Sequence, residues 1–180
     1  MKKIYLFFGI LLYGIYFSQV KINNRNDIEI YLMDPEVSME RYLDAKRPYQ
    51  YKIINHTNDD YIIDPQGFRG KTDLYECNQL YTIPEKIIPE GYYDRDDPED
   101  CQQDLIIVKK QSSIITSLYI LNISFFYNID ATKSYYLKIR SKHNKNTATI
   151  LGCSNYINNL EKQGYKILDD TIDAKLWLVP

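Results

Sequence analysis

The sequence predicts a mainly β protein built as an antiparallel β-sandwich, with one short helix inserted before the last strand. Roughly seven short segments alternate between apolar and polar side chains, the pattern of strands with one buried face. Clusters of Asn, Asp, Gly and Pro separate these segments, as turns separate the strands of a sandwich. An α+β fold, in which the helix covers one sheet, is the alternative. With 180 residues the chain is large enough to bury an ordinary core in one domain.

The first half of the chain contains three predicted strands. Residues 28–33 and 49–54 alternate between apolar and polar side chains, and residues 61–63 are apolar. The stretch 55–60 is rich in Asn and Asp, which favour turns because their side chains bond to nearby backbone. The second and third strands are therefore predicted to form a hairpin. A single helical turn near residues 39–43 precedes them.

Strand signals return in the second half of the chain, after an irregular stretch at residues 71–104 that three prolines interrupt. The predicted strands lie at residues 105–108, 114–127, 135–140 and 175–179. Residues 114–127 carry the strongest signal, and their length fits one long strand or two strands separated by a bend.

One helix is predicted between the last two strands. Apolar residues there recur with the i, i+3, i+4, i+7 spacing that places side chains on one helical face. These residues are Cys153, Tyr156, Ile157 and Leu160. Ser154 is a candidate cap at the start of the helix, and Gly164 is the candidate residue at its end.

The strand of Tyr135, Leu137 and Ile139 resembles the next-to-last strand of immunoglobulin-like domains, which carries a corner tyrosine. This resemblance implies that the sandwich is immunoglobulin-like. The Cys–Trp–Cys framework of antibody domains does not accompany the strand, so the resemblance concerns architecture and not family membership.

The N-terminal segment has the pattern of a secretory signal peptide. Lys2 and Lys3 precede an apolar run at residues 4–17, which is shorter than the roughly 20 residues that cross a bilayer. We therefore predict a cleaved signal peptide at residues 1–19 and a single β-rich domain at residues 20–180. The protein is then secreted or periplasmic, with no transmembrane segment after cleavage. An uncleaved anchor and a buried first strand are the alternatives.

Export permits disulfide bonds, and the chain has three cysteines. Cys77 and Cys101 both lie in turn-rich, polar sequence, where a covalent link stabilises most. We predict that these two pair and that Cys153 is left over. Three reduced cysteines are the alternative. The cysteine and histidine spacing does not match a structural zinc site, and neither a metal nor another cofactor is predicted.

Charge and motifs argue against several classes of function. The net charge is −2, and signal cleavage would remove two of the 22 basic side chains and none of the 24 acidic ones, giving −4. Such a chain has no overall positive field that attracts nucleic acid. Neither His56 nor His143 lies in a catalytic sequence motif, and phosphate-binding loops are lacking. We expect a binding role, and a hydrolase assembled from distant residues around one histidine is the minor alternative.

Two groups of side chains are candidates for an interaction surface. The first group shares one face of the strand at 135–140 if that strand continues, and it consists of Tyr136, Lys138, Arg140 and Lys142. A cationic stripe with an aromatic ring suits an anionic glycan or an acidic partner, although it also fits the ordinary polar face of an antiparallel strand. Tyr92 and Tyr93 form the second group, because exposed tyrosines give a large contact area at low entropic cost.

The segment at residues 94–104 is strongly acidic. Its carboxylates are Asp94, Asp96, Asp97, Glu99, Asp100 and Asp104. Calcium ions bind several converging oxygens, but the segment lacks the glycine turn and the terminal Glu of an EF-hand. We interpret it as a solvated loop, and a weak calcium site is the alternative.

These observations favour an exported bacterial protein that acts as a non-enzymatic binding or interaction module of the periplasm or cell surface. The alternative is a periplasmic inhibitor or immunity-type protein that blocks a toxin or a hydrolase. Tyr92, Tyr93 and the acidic segment would be its contact region.

Overall fold

The computed structural model describes residues 19–44, 48–65, 71–81, 98–118, 123, 126–148 and 152–180. These residues form three β-sheets and few helices, which confirms the prediction of a mainly β, sandwich-like protein. The predicted signal peptide lies outside the described residues except for Gln19, and it stays a prediction.

Twelve strands and four short helices lie within the described residues. The strands are β1 (Val20–Lys21), β2 (Ile28–Leu32), β3 (Glu36–Ser38), β4 (Tyr49–Asn55), β5 (Tyr61–Ile63), β6 (Lys71–Glu76), β7 (Gln79–Leu80), β8 (Ile106–Val108), β9 (Ser112–Leu118), β10 (Tyr135–His143), β11 (Lys166–Ile167) and β12 (Asp170–Val179). The helices are α1 (Met39–Leu43), α2 (Pro98–Asp104), α3 (Lys145–Ala148) and α4 (Ser154–Lys162).

Two of the sheets share one large hydrophobic core. The first sheet has the antiparallel strand order β1-β2-β4-β9. The second has the order β3-β12-β10-β6-β7 and is antiparallel except for the pair of β3 and β12. Because side chains alternate across a strand, every second residue enters the core. Ile30 and Ile53 of the first sheet, and Leu137 and Leu176 of the second, are fully buried there.

A third, small sheet has the strand order β11-β5-β8 and lies beside a second hydrophobic cluster. We call this cluster the minor core. Its buried members are Ile62, Cys101, Leu105, Cys153, Ile157 and Leu160. They come from β5, from α2 and the residue after it, and from the start and the apolar face of α4.

The predicted pairing of Cys77 with Cys101 is wrong. Cys101 forms a disulfide with Cys153, 52 residues later, and Cys77 is exposed and free. Both bonded cysteines are buried in the minor core. Cys77 instead occupies the two-residue turn between β6 and β7, with a positive φ of 48°. This turn places Cys77 at the surface of the second sheet, whereas Cys153 is brought to Cys101 by the buried face of α4.

The predicted hairpin of the second and third strands is also wrong. β4 belongs to the first sheet and lies between β2 and β9, whereas β5 belongs to the third sheet. The side chain of Asn55 at the end of β4 is buried, and its amide donates to the carbonyls of Asp59, Val108 and Lys109 at 2.8, 3.2 and 3.1 Å. These bonds hold the connection between β8 and β9 against the turn that follows β4. β9 then pairs with β4 in the first sheet, whereas β5 pairs with β8 in the third sheet.

The predicted helix is confirmed as α4, which buries Ile157 and Leu160. Its N-terminal cap is Cys153, with no side-chain capping bond, so Ser154 is not the cap. Gly164 follows the helix with a φ of 96°, and its N–H donates to the Glu161 carbonyl at 2.9 Å. A left-handed residue after a helix is the role in which glycine costs least.

The predicted strand at 114–127 is confirmed in its first part only. β9 ends at Leu118, and farther along the Phe126 N–H donates to the Ile123 carbonyl at 2.9 Å. Residues 123 and 126 are therefore joined by a turn, and residues 119–122, 124 and 125 of the predicted strand lie outside the described residues.

Replacing both Cys101 and Cys153 by Ser is expected to destabilise the protein. A disulfide that closes a loop of 52 residues contributes about 4 kcal/mol to the free energy of unfolding in the chain-entropy model. Urea unfolding followed by circular dichroism measures the loss. The control is Cys77→Ser, which should leave the unfolding midpoint unchanged because Cys77 is exposed and free. An equal effect of the control, or no loss in the double variant, would contradict the pairing.

Candidate functional site

The central strand of the second sheet, β10, separates the core from a solvent-facing surface. Tyr135, Leu137 and Ile139 are buried, whereas the alternate residues Tyr136 and Lys138 are half-buried. β12 and β6 pair with β10 on its two sides and hold this orientation. The predicted set of Tyr136, Lys138, Arg140 and Lys142 therefore does share one face. We call the outward positions of β6, β10 and β12 the outer face.

A row of three aromatic rings crosses the outer face. Tyr75 of β6 and Trp177 of β12 are the direct cross-strand partners of Tyr136. The rings of Tyr75 and Tyr136 stack with centroids 4.7 Å apart and planes at 3°, and the Trp177 ring lies 5.2 Å from Tyr136 with a tilt of 58°. We call these three residues the aromatic ladder. Leu80 and Glu36 lie opposite its two ends, on β7 and β3.

Lys175 lies against the aromatic ladder. Its ammonium is 3.8 Å from the ring centroid of Tyr136 and 4.0 Å from that of Trp177. Such cation–π contacts are worth about 0.5–1 kcal/mol at exposed sites. Among the described residues, no carboxylate lies within ion-pair distance of this ammonium. The rings therefore hold a positive charge in place without neutralising it.

Charged side chains occupy most of the remaining positions of the outer face, in rows parallel to the ladder. Lys138 lies between Asp73 and Lys175, and Arg140 lies between Lys71 and Asp173. The outward positions of the three strands hold five basic residues and two acidic ones. The basic ones are Lys71, Lys138, Arg140, Lys142 and Lys175, and the acidic ones are Asp73 and Asp173.

Both acidic residues of the outer face are already engaged in ion pairs. Asp73 pairs with Arg140, and Asp173 pairs with Lys138 at 3.6 Å. Because opposite charges are interspersed, these pairs fix the long side chains but cancel only part of the positive charge. The outer face therefore has an excess of three positive charges, although the whole chain has a net charge of −2.

The stacking also decides which part of the rings meets a ligand. Tyr75 and Tyr136 turn their faces toward each other, so their edges are left on the solvent side. Ring edges carry the positive part of the aromatic quadrupole. Trp177 is tilted from its neighbour and is 41% exposed, so it offers the largest apolar surface of the ladder. The combination suits a ligand that has both an apolar patch and negative charge.

The two histidines lie in opposite environments, one exposed and one buried. His56 is exposed and lies 3.1 Å from a carboxylate oxygen of Glu29. His143 is buried at the end of β10, and this burial lowers the pKa of His143 to about 4, against the opposing influence of Asp64 and Asp170. Within the described ranges, no three His, Cys, Asp or Glu side chains cluster as metal ligands would.

The other predicted site residues fall largely elsewhere. Tyr92, Tyr93 and residues 94–97 lie outside the described residues, so their proposed roles remain predictions. The interpretation of 94–104 as a loop is wrong for its second part, because residues 98–104 form α2. The helix is fastened to the minor core through Cys101.

Sequence reasoning missed six aromatic or charged residues of the outer face: Lys71, Asp73, Tyr75, Asp173, Lys175 and Trp177. Tyr75 lies in the stretch predicted to be irregular, although the buried Thr72 and Leu74 alternate with it as in a strand. Trp177 is the only tryptophan of the chain, and its outward position in the last strand was the available signal.

No protein-family model matches the chain, and comparisons with curated proteins and with solved structures find no similar protein. None of the helices in the described part of the chain has the length and apolar character needed to cross a membrane. The geometry of the outer face is therefore the basis for assigning a function.

The buried His143 predicts a loss of stability in mild acid. Its pKa is about 4 in the folded protein and near 6.5 when unfolded, so between these values the unfolded chain binds a proton that the folded chain does not. Stability should be full above pH 6.5 and fall by about 3 kcal/mol as the pH drops toward 4.

Urea unfolding measured at several pH values between 7 and 4 tests this dependence. His143→Gln should remove most of the acid-induced loss, whereas His56→Gln should leave that loss in place because His56 is exposed. A wild-type profile that stays flat over this range would refute the assignment to His143.

Proposed function

We propose that the protein is a non-enzymatic binding module of the bacterial cell envelope and that it holds its ligand on the outer face of β6, β10 and β12. The observation that carries this proposal is the aromatic ladder with Lys175 fixed against it. Tyrosine and tryptophan provide rigid contact area at low entropic cost, which is why they are frequent in binding surfaces.

The proposed location outside the cytosol has support from the sequence and from the disulfide. The N-terminal segment has the charge and length of a signal peptide. Cys101 and Cys153 are bonded, and such bonds persist mainly in oxidising compartments. The periplasm, the cell surface and the external medium all satisfy this condition.

We also propose that the sandwich is immunoglobulin-like. The Tyr135 hydroxyl accepts a hydrogen bond from the Asp130 N–H at 3.2 Å. A bond from a strand tyrosine back to the backbone a few residues upstream is the arrangement of a tyrosine corner. The bond ties the loop before β10 to the start of that strand, so it also helps to position the outer face.

Co-sedimentation of the purified protein with isolated cell envelopes tests the binding function. The wild-type protein should sediment with the envelopes, and the double variant Tyr136→Ser/Trp177→Ser should stay in the supernatant because it lacks most of the aromatic ladder. The matched control is Ile115→Ser, which removes an apolar side chain that is 59% exposed on the first sheet. It should sediment like the wild type.

Two results would refute the binding function: no sedimentation of the wild type, or equal sedimentation of the wild type and the double variant. A stoichiometric complex with one envelope hydrolase or toxin, which loses its activity on binding, would instead favour the inhibitor or immunity-type function. Circular dichroism and thermal unfolding of each variant confirm that it is folded.

A further inference from the structure

We propose that the outer face binds an anionic polysaccharide, that is, a glycan whose sugars carry carboxylate or sulfate groups. This inference rests on the proposed binding function and names the ligand class for the same face. Three features carry it: the charge of the outer face, the position of Lys175 beside Trp177, and the spacing of the basic side chains along β10.

The charge of the outer face is complementary to an anion. Its five basic residues exceed its two acidic ones, and both acidic ones are paired with Arg140 and Lys138. Lys175 has ring contacts but no carboxylate partner among the described residues. An anionic group that meets Lys175 therefore gains a charge-assisted bond without displacing an existing ion pair.

The closeness of a cation to an exposed ring suits an acidic sugar in particular. The Lys175 ammonium is 4.0 Å from the Trp177 ring centroid, and Trp177 is 41% exposed. A uronic acid has an apolar face of C–H groups and a carboxylate on the same ring. Its apolar face can pack on the indole while its carboxylate pairs with Lys175. A neutral sugar would leave the Lys175 ammonium without an anionic partner. An acidic peptide has carboxylates, but they are not fixed on a rigid ring that also has an apolar face.

The spacing along β10 favours a repeating ligand. Side chains two positions apart on a strand are about 7 Å apart, so Lys138, Arg140 and Lys142 follow Tyr136 in regular steps. A polysaccharide laid along β10 presents successive anionic groups to these side chains, and linked contacts strengthen one another.

Fluorescence titration of the purified protein tests the proposal, because Trp177 is the only tryptophan and lies in the ladder. The probes are oligogalacturonate, dextran sulfate, neutral dextran, an oligoglutamate peptide and a single-stranded oligonucleotide. Oligogalacturonate or dextran sulfate should shift the Trp177 emission and bind more weakly as salt is raised. The other three probes should bind at least tenfold more weakly.

Charge reversal shows whether the outer face is the site. Lys138→Glu/Lys175→Glu should weaken binding of the anionic glycan at least tenfold. Lys52→Glu, which reverses a charge on the first sheet, should leave binding nearly unchanged. Equal weakening by Lys52→Glu, or none by the double variant, would overturn the proposal.

The results of the titration and of the envelope experiment distinguish a wrong ligand class from a wrong binding function. If neither anionic glycan binds while the protein still sediments with envelopes through the aromatic ladder, the ligand class is wrong and the binding function stands. Equal or tighter binding of neutral dextran, oligoglutamate or the oligonucleotide also refutes the ligand class. If the protein does not sediment with envelopes at all, the binding function itself is refuted.

Discussion

The register of β10 against its two neighbours is the constraint on which the rest of the structure depends. β10 pairs with β12 from Tyr135 to His143 and with β6 from Tyr135 to Arg140. A shift of one residue would turn Leu137 outward and bury Lys138, at a large cost in desolvation. The same register that fills the core therefore places Tyr75, Tyr136 and Trp177 in one row. The packing of the core and the geometry of the candidate site therefore both follow from the register of β10 with β6 and β12.

Buried polar groups link the two large sheets, and one covalent bond links the two helices of the minor core. Asn23 lies after β1, and its buried side chain accepts from the Ile30 N–H at 2.8 Å and donates to the Ile28 carbonyl and to Asp170 at the start of β12. A buried amide that makes all of these hydrogen bonds favours one arrangement of the surrounding chain. In any other arrangement, its polar atoms would be buried without partners. The Cys101–Cys153 disulfide fixes α2 and α4 on the third sheet in a comparable way.

The parts of the fold that depend on local pattern were predictable, and the parts that depend on distant pairing were not. Alternation identified β2, β4 and β10, and helical spacing identified the buried face of α4, because each element must bury one side. The alternation within a strand does not reveal which other strand it pairs with, so the predicted hairpin was wrong. Local sequence likewise does not reveal which cysteines meet in the fold, so the predicted pairing of Cys77 was wrong. It placed Tyr136 and Lys138 on one face but not Tyr75 or Trp177 beside them, because only the sheet register brings those residues together.

Amide chemical shifts of the isotopically labelled protein, followed by NMR during titration with oligogalacturonate, test the central claim most directly. The account predicts that shift changes cluster on β6, β10 and β12, around the outer face, and leave β2, β4 and β9 of the first sheet unchanged. Shift changes centred on the first sheet, or none at saturating oligogalacturonate, would contradict it.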